Sequence, residues 1–213
     1  MSGEDADWAP ETHAPEGWPV PLRGVTESVV ATLGPNDRWN LAALGLHAGD
    51  PVTARTYGNT RTRRNFERQG GGVVQFVADP RTFVDAALSI REEPEPVLPS
   101  ADAWVEVDAA FVDSRDEHGT TIREWELTTG ESEVVRAGPT TINRGFGAVV
   151  EATVAASRLD TPGFKESELL DRLAFFADVV ERCGGARERE AMRRVAASTD
   201  WQQTNSDDHV SEN

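Results

Sequence analysis

The chain alternates between apolar and polar residues before it turns helical. From Arg23 to Leu33 the run RGVTESVVATL is β-branched and ends in the turn residues Gly34-Pro35-Asn36-Asp37; RWNLAALGLHAGD follows as a second strand, closed by Gly49-Asp50-Pro51. The pair reads as a hairpin. PVTARTYG predicts a third strand, with Val52, Ala54 and Thr56 on one face and Thr53, Arg55 and Tyr57 on the other. Gly58 and Asn59 turn the chain, and TRTRRNFERQ has helical composition with Thr60 or Thr62 as its N-cap. After three glycines, VVQFVA is short and nearly all apolar, as suits a central strand, and DPRTFVDAAL predicts a helix capped by Asp79 with Pro80 at its first position. REEPEPVLPSAD reads as a Pro-rich surface connection. AWVEVDAAFVDSRD sets Trp104, Glu106 and Asp108 against Val105, Val107 and Ala109, and GTTIREWELTTG and ESEVVRAG continue this alternation.

The periodicity changes at Asn143. GFGAVVEATVAASRL places Phe146, Val149, Val150, Thr153 and Val154 at helical spacing. A second helix carries Leu169, Leu173, Phe176, Val180 and Cys183 on one stripe and stops at Gly184-Gly185, and AREREAMRRVA is a short, highly charged third. The pattern predicts six or seven antiparallel strands closing into a β-barrel over residues 21–142, then a helical C-terminal region over 143–198. Residues 1–20 and 199–213 hold nine acidic residues and no Lys or Arg, lack apolar periodicity, and read as disordered acidic tails.

Composition narrows the function. The 213 residues carry a net charge of −16, and Lys165 is the single lysine. Such acidity argues against a nucleic-acid partner, since phosphate backbones need a basic face. It fits a cytoplasm of high ionic strength, although a high-GC genome alone also trades Lys for Arg. One cysteine, Cys183, excludes an intrachain disulfide and a cysteine metal cluster. No stretch approaches the apolar length of a membrane span, and the N-terminus lacks a signal peptide's basic and apolar regions, so the expectation is a cytoplasmic protein without membrane partners.

Against that background one segment stands out. Arg55 to Arg68 holds five arginines and a single acid, Glu67. Arginines in the first turn of a helix oppose the positive end of its dipole and are misplaced there unless an anion sits nearby. A strand, a tight turn and a helix start with threonine hydroxyls make such a site. The alternative is a solvated helix face pairing with surface acids. No P-loop and no GxGxxG fingerprint is present. Four scattered histidines suggest no metal site. His47 is a strand-end polar residue or a proton-transfer group beside the groove, and Glu27 and Glu151, set within apolar patterns, are arginine partners or substrate contacts. Tyr57 fits a subunit interface better than chemistry.

The order strand, strand, R-T-x-G-x-T-x-T-x-x-N at a helix start, then an apolar strand ending in Asp-Pro, resembles the flavin-reductase-like FMN-binding split barrels. It resembles most their archaeal branch, the domain-of-unknown-function-447 group, through GVTESVVAT, WNLAALGL, ARTYGNTRTRRNF, VVQFVADPRTFVDAAL, INRGFGAVVEATVAASRL and CGGAREREAMRRV. The resemblance implies an antiparallel split barrel with a helical C-terminal region, forming a homodimer with FMN at the subunit interface. It implies that Arg55, Thr60, Thr62 and Asn65 grip the FMN phosphate, with Arg61 or Arg63 assisting and Thr56 and Tyr57 beside the turn. It also implies that Asn40, Ala42, Ala43 and Leu44 line the isoalloxazine ring, partly through their backbone. The activity implied is that of an oxidoreductase passing hydride or electrons between a small-molecule donor and acceptor. The alternative is a non-catalytic flavin-binding or interaction module.

Overall fold

The computed structural model describes residues 14–139, 141–199 and 201. Seven strands form one sheet: β1 (Val25–Leu33), β2 (Trp39–His47), β3 (Val52–Tyr57), β4 (Gly71–Phe76), β5 (Arg91–Glu93), β6 (Ala103–Glu117) and β7 (Thr120–Val134). Their order is β1-β4-β6-β7-β3-β2-β5, and β1 also pairs with β2, so six antiparallel strands close into a barrel and β5 is added outside it. Five helices are seen among the described residues: α1 (Arg61–Gln69), α2 (Pro80–Leu88), α3 (Arg144–Ala156), α4 (Glu166–Cys183) and α5 (Ala186–Thr199).

Strand alternation sorts side chains between two sides of the barrel wall. Val30, Leu44, Leu46, Val52, Ala54, Val74, Val105, Val107, Trp125 and Leu127 fill the interior. Phe66 of α1 joins them, 1 % exposed, with its ring edge-on to Trp125 at 5.3 Å. Trp125 is satisfied as well as packed, because its indole N–H donates to Thr56 Oγ1 at 2.9 Å. Outside the wall, Val29, Ala31, Leu41 and Val73 lie under Ala86 of α2 and Leu98. Buried Gln75 pins the chain that crosses there, accepting from the Leu98 N–H at 2.7 Å and donating to the Pro96 carbonyl at 2.8 Å. A third cluster joins Val84 of α2 to Val149, Leu173, Val180 and Val195, so α2 is the joint between the barrel and the three C-terminal helices.

Three expectations change. The connection expected over 91–102 begins with the short strand β5, which pairs with Trp39, Asn40 and Leu41 of β2. The stretch from 119 to 138, expected as two pieces, is a single strand to Val134. The N-terminal tail is shorter than residues 1–20: Trp18 is buried among the barrel's apolar side chains with Ala14 and Val20 against it, and Thr129 Oγ1 donates to the Glu16 carbonyl. Trp201 is likewise buried against the helices. The rest of both expected tails, 1–13 and 202–213, lies outside the described residues. Acidic neighbours hid these tryptophans, whose apolar area outweighs the polarity around them.

Candidate functional site

The barrel is split between β2 and β3. The two strands pair only through Leu46–Ala54 and His47–Thr53. Beyond that point Arg55, Thr56 and Tyr57 pair on their β7 edge alone, and β2 regains a partner on this side only at Leu41, with β5. The edges of Ala42–Gly45 and of Arg55–Tyr57 therefore diverge around a wedge, and neither is paired across it into the ladder. Strand backbone in this state must find water or a ligand.

Helix α1 stands at the open end of the wedge. Gly58, at φ 63°, turns the chain out of β3. Thr60 caps the helix by accepting the Arg63 N–H at 3.3 Å, and the first backbone hydrogen bond runs from Arg64 to the Thr60 carbonyl. The N–H groups of Arg61 and Thr62 belong to the turn that no helix satisfies internally. Arg61 reaches across to Glu92 of β5 at 2.6 Å, tying the helix start to the far lip of the wedge.

The outer face beside the wedge has a low floor. Ala43 and Gly45 face outward, in line with His47, because Ala42, Leu44 and Leu46 turn into the core. Glu27 of β1 lies opposite Gly45, and Arg55 of β3 stands beyond it, opposite Glu124 of β7. A Cβ at Gly45 would stand 3.8 and 3.9 Å from the Glu27 carboxylate oxygens and 3.1 Å from Val25 Cγ1. Two small residues thus form a trough, with acid on one wall and a guanidinium on the other.

Charges follow this geometry. Arg55 Nε lies 3.5 Å from Glu124 Oε2, too poorly aimed for a hydrogen bond, and this buried nitrogen has no hydrogen-bond partner in the described structure. Burial, then the Arg55 cation, hold the His47 imidazole below its ordinary pKa, with Glu124 opposing. Partial desolvation, then the Glu151 carboxylate of α3, push the Glu27 carboxyl above its ordinary value.

The expected residues divide sharply. Arg55, Thr60, Arg61 and Ala43 come together around the wedge and its trough. Asn40, Leu44, Thr56 and Thr62 are buried, while Ala42 packs against the core from within. Asn65 is buried with both amide atoms used, Nδ2 donating to Thr32 Oγ1 at 2.9 Å and Oδ1 accepting from Arg68 at 2.9 Å. Tyr57 is half exposed. The other arginines bind within the chain: Arg63 to Glu67 and the Gly58 carbonyl, Arg64 to the Asn59 carbonyl, Arg68 to the Leu33 carbonyl. The sequence reading did not single out Gly45. The alternation that turns Leu44 and Leu46 inward was the signal that could have placed it in the trough.

Two domain models match this chain. The one described as "Protein of unknown function (DUF447) N-terminal domain" covers residues 26–136, and "Protein of unknown function (DUF447)" covers 143–196. Among solved structures, an FMN-bound protein of that family from Methanosarcina mazei is 25 % identical, covering 83 % of this chain and 96 % of its own, with a TM-score of 0.69. A flavin reductase HpaC complexed with NADP+ shares 16 % identity over 55 % of this chain and 82 % of its own, with a TM-score of 0.39. The styrene monooxygenase flavin reductase from Pseudomonas putida S12 shares 12 % over 57 % and 95 %, with a TM-score of 0.41.

Proposed function

The chain belongs to the DUF447 family, and we propose that it is an FMN-binding flavoprotein acting as an oxidoreductase of the flavin-reductase-like type. FMN joins a flat isoalloxazine ring to a phosphate-ended tail, and the residues fit both parts. Ala43 and Gly45 leave a floor without bulky side chains, and the unpaired edge of Ala42–Gly45 offers donors and acceptors to the ring's polar rim. Arg55, Thr60 and the first-turn N–H groups of α1, which have no partner within the helix, suit the phosphate, with Asn65 bracing the barrel end from behind. The observation that carries this reading is the buried Arg55 nitrogen without a hydrogen-bond partner beside that wedge. Bound FMN would supply the two-electron chemistry that these side chains lack. The chain's own part is to orient the ring and shield one face.

Phe111, Val112 and Tyr57 are about half exposed near the projecting β6–β7 hairpin and the wedge. They support a homodimer that covers the site from the partner's side, to be checked by sedimentation of the wild type against Phe111→Glu. The assignment itself is tested by the visible spectrum of the purified protein, with released cofactor identified by mass. A flavin band and FMN are the expected result; protein that stays colourless in added FMN would end the reading. Turnover of NADH or NADPH separates an enzyme from a carrier. The net charge of −16 supports a salt-rich cytoplasm, and the melting temperature should then fall as salt is lowered to millimolar levels. No described helix is long and apolar enough to cross a membrane.

A further inference from the structure

Glu67 is the single acid among the residues from Arg55 to Arg68, an odd place for negative charge beside a phosphate site. Its oxygen Oε1 accepts from Arg63 Nε of the same helix at 3.1 Å and also from Arg123 Nη1 of β7. The other arm of Arg63 donates from Nη1 to the Gly58 carbonyl at 3.1 Å. Arg123 in turn lies over the Phe111 ring, its guanidinium carbon 5.5 Å from the centroid. One carboxylate oxygen thus joins the barrel wall at β7 to the turn that leads into α1. Arg63, Glu67 and Arg123 are 19 %, 36 % and 27 % exposed, against 78 % and 65 % for the solvated Lys165–Glu168 pair at the start of α4.

This brace acts on peptide planes. A trans peptide points its carbonyl and the following N–H in opposite directions. Arg63 holds the Gly58 carbonyl, so the Asn59 N–H faces the other way; Arg64 does the same for the Asn59 carbonyl and the Thr60 N–H. The Gly58 N–H is spent on the Thr121 carbonyl of β7 at 2.8 Å. We propose that Glu67 is a positioning residue: by holding Arg63 against the Gly58 carbonyl, it keeps the turn and the start of α1 in the geometry that binds the flavin phosphate. The inference rests on the FMN reading above. Charge alone predicts that removing this carboxylate strengthens phosphate binding, whereas a lost brace weakens it. The sign of the effect separates the two roles.

The test titrates the full chain, stripped of bound flavin, with FMN and with riboflavin, which lacks only the phosphate, and follows flavin fluorescence. It compares wild type with Glu67→Gln and with Arg63→Lys, which keeps the charge and loses the two-armed guanidinium fork. Both variants should bind FMN about five- to tenfold more weakly than wild type, less than the loss of a direct charge-assisted contact. Riboflavin should bind as before. FMN binding unchanged or tightened in Glu67→Gln would overturn the inference. So would equal weakening of FMN and riboflavin, which marks a general loss of structure and leaves the FMN reading intact. If Glu67→Gln does not fold, Arg63→Lys decides: an FMN-selective loss supports the inference, and equal loss or none ends it. Wild type that binds riboflavin as tightly as FMN would also overturn it, because the phosphate would then contribute nothing. Wild type that binds neither would remove both this inference and the reading beneath it.

Discussion

Two helix starts in this molecule obey opposite electrostatic rules. Helix α4 places Glu166 and Glu168 in its first turn, where acids complement the helix dipole, and needs no side-chain cap at Lys165. Helix α1 is capped by Thr60, has no acid in its first turn, and runs directly into Arg61, Arg63 and Arg64. Each misplaced charge costs about 0.3–1 kcal/mol when nothing offsets it. The chain offsets them by turning the guanidinium groups away, to Glu92, Glu67 and the carbonyls of Gly58 and Asn59. One helix start matches its dipole with acids. The other turns its cations to acids and carbonyls around the wedge, and on the reading proposed above its first N–H groups would meet the FMN phosphate.

Removing the packed anchor of each helix tests that contrast most severely. Phe66→Ala in α1 should cost about 3–5 kcal/mol and Leu173→Ala in α4 about 2–5 kcal/mol, both read by urea unfolding. Only the first should also abolish FMN uptake, as followed by flavin fluorescence; equal loss in both would dissolve the distinction between the regions. Arg55→Ala comes next. Losing a charge-assisted contact of about 1.5–3 kcal/mol should weaken FMN binding by about ten- to a hundredfold. The melting temperature without cofactor should fall only slightly, since the ion pair lost to Glu124 is partly exposed and Arg115 still stands beside that carboxylate. An unchanged dissociation constant would remove Arg55 from the phosphate site.

Smaller effects sharpen the comparison. Thr60→Ala should destabilise the protein by about 1 kcal/mol through loss of its cap, whereas Lys165→Ala should change little because no cap bond exists there. The smallest expected effect is a dependence on pH. A carboxyl whose folded pKa is raised favours the folded state in its protonated form. Glu27 should therefore leave stability untouched below its ordinary pKa and weaken it as pH rises through the raised value. Glu27→Gln should melt slightly above wild type at pH 8 and together with it near pH 4. A constant difference across that range would show that packing, and not ionisation, is responsible.

Much of this molecule was legible along the chain because its signals are local. Alternation in β3 and β6 reported which residues face the core, and Asp79, Asn143 and Thr60 stand at the helix starts they cap. The arginine patch was legible as an oddity of charge. Its meaning was not, because the partners of those arginines lie on other elements: Glu92 is 31 residues from Arg61 and the Leu33 carbonyl 35 from Arg68. Asn65 had the right chemistry for a phosphate ligand, and buried Thr32 claimed it instead.

By itself the sequence determined six of the seven strands, the five helices, the facing of β3 and β6 and the excess of negative charge, since all four depend on residues within a few positions of one another. The tertiary structure alone decided that β2 and β3 part after two residue pairs, that Gly45 becomes a floor, and that Glu151 of a C-terminal helix comes to bear on Glu27 of the first strand. These depend on which distant surfaces meet when the barrel closes, and no local pattern carries that information.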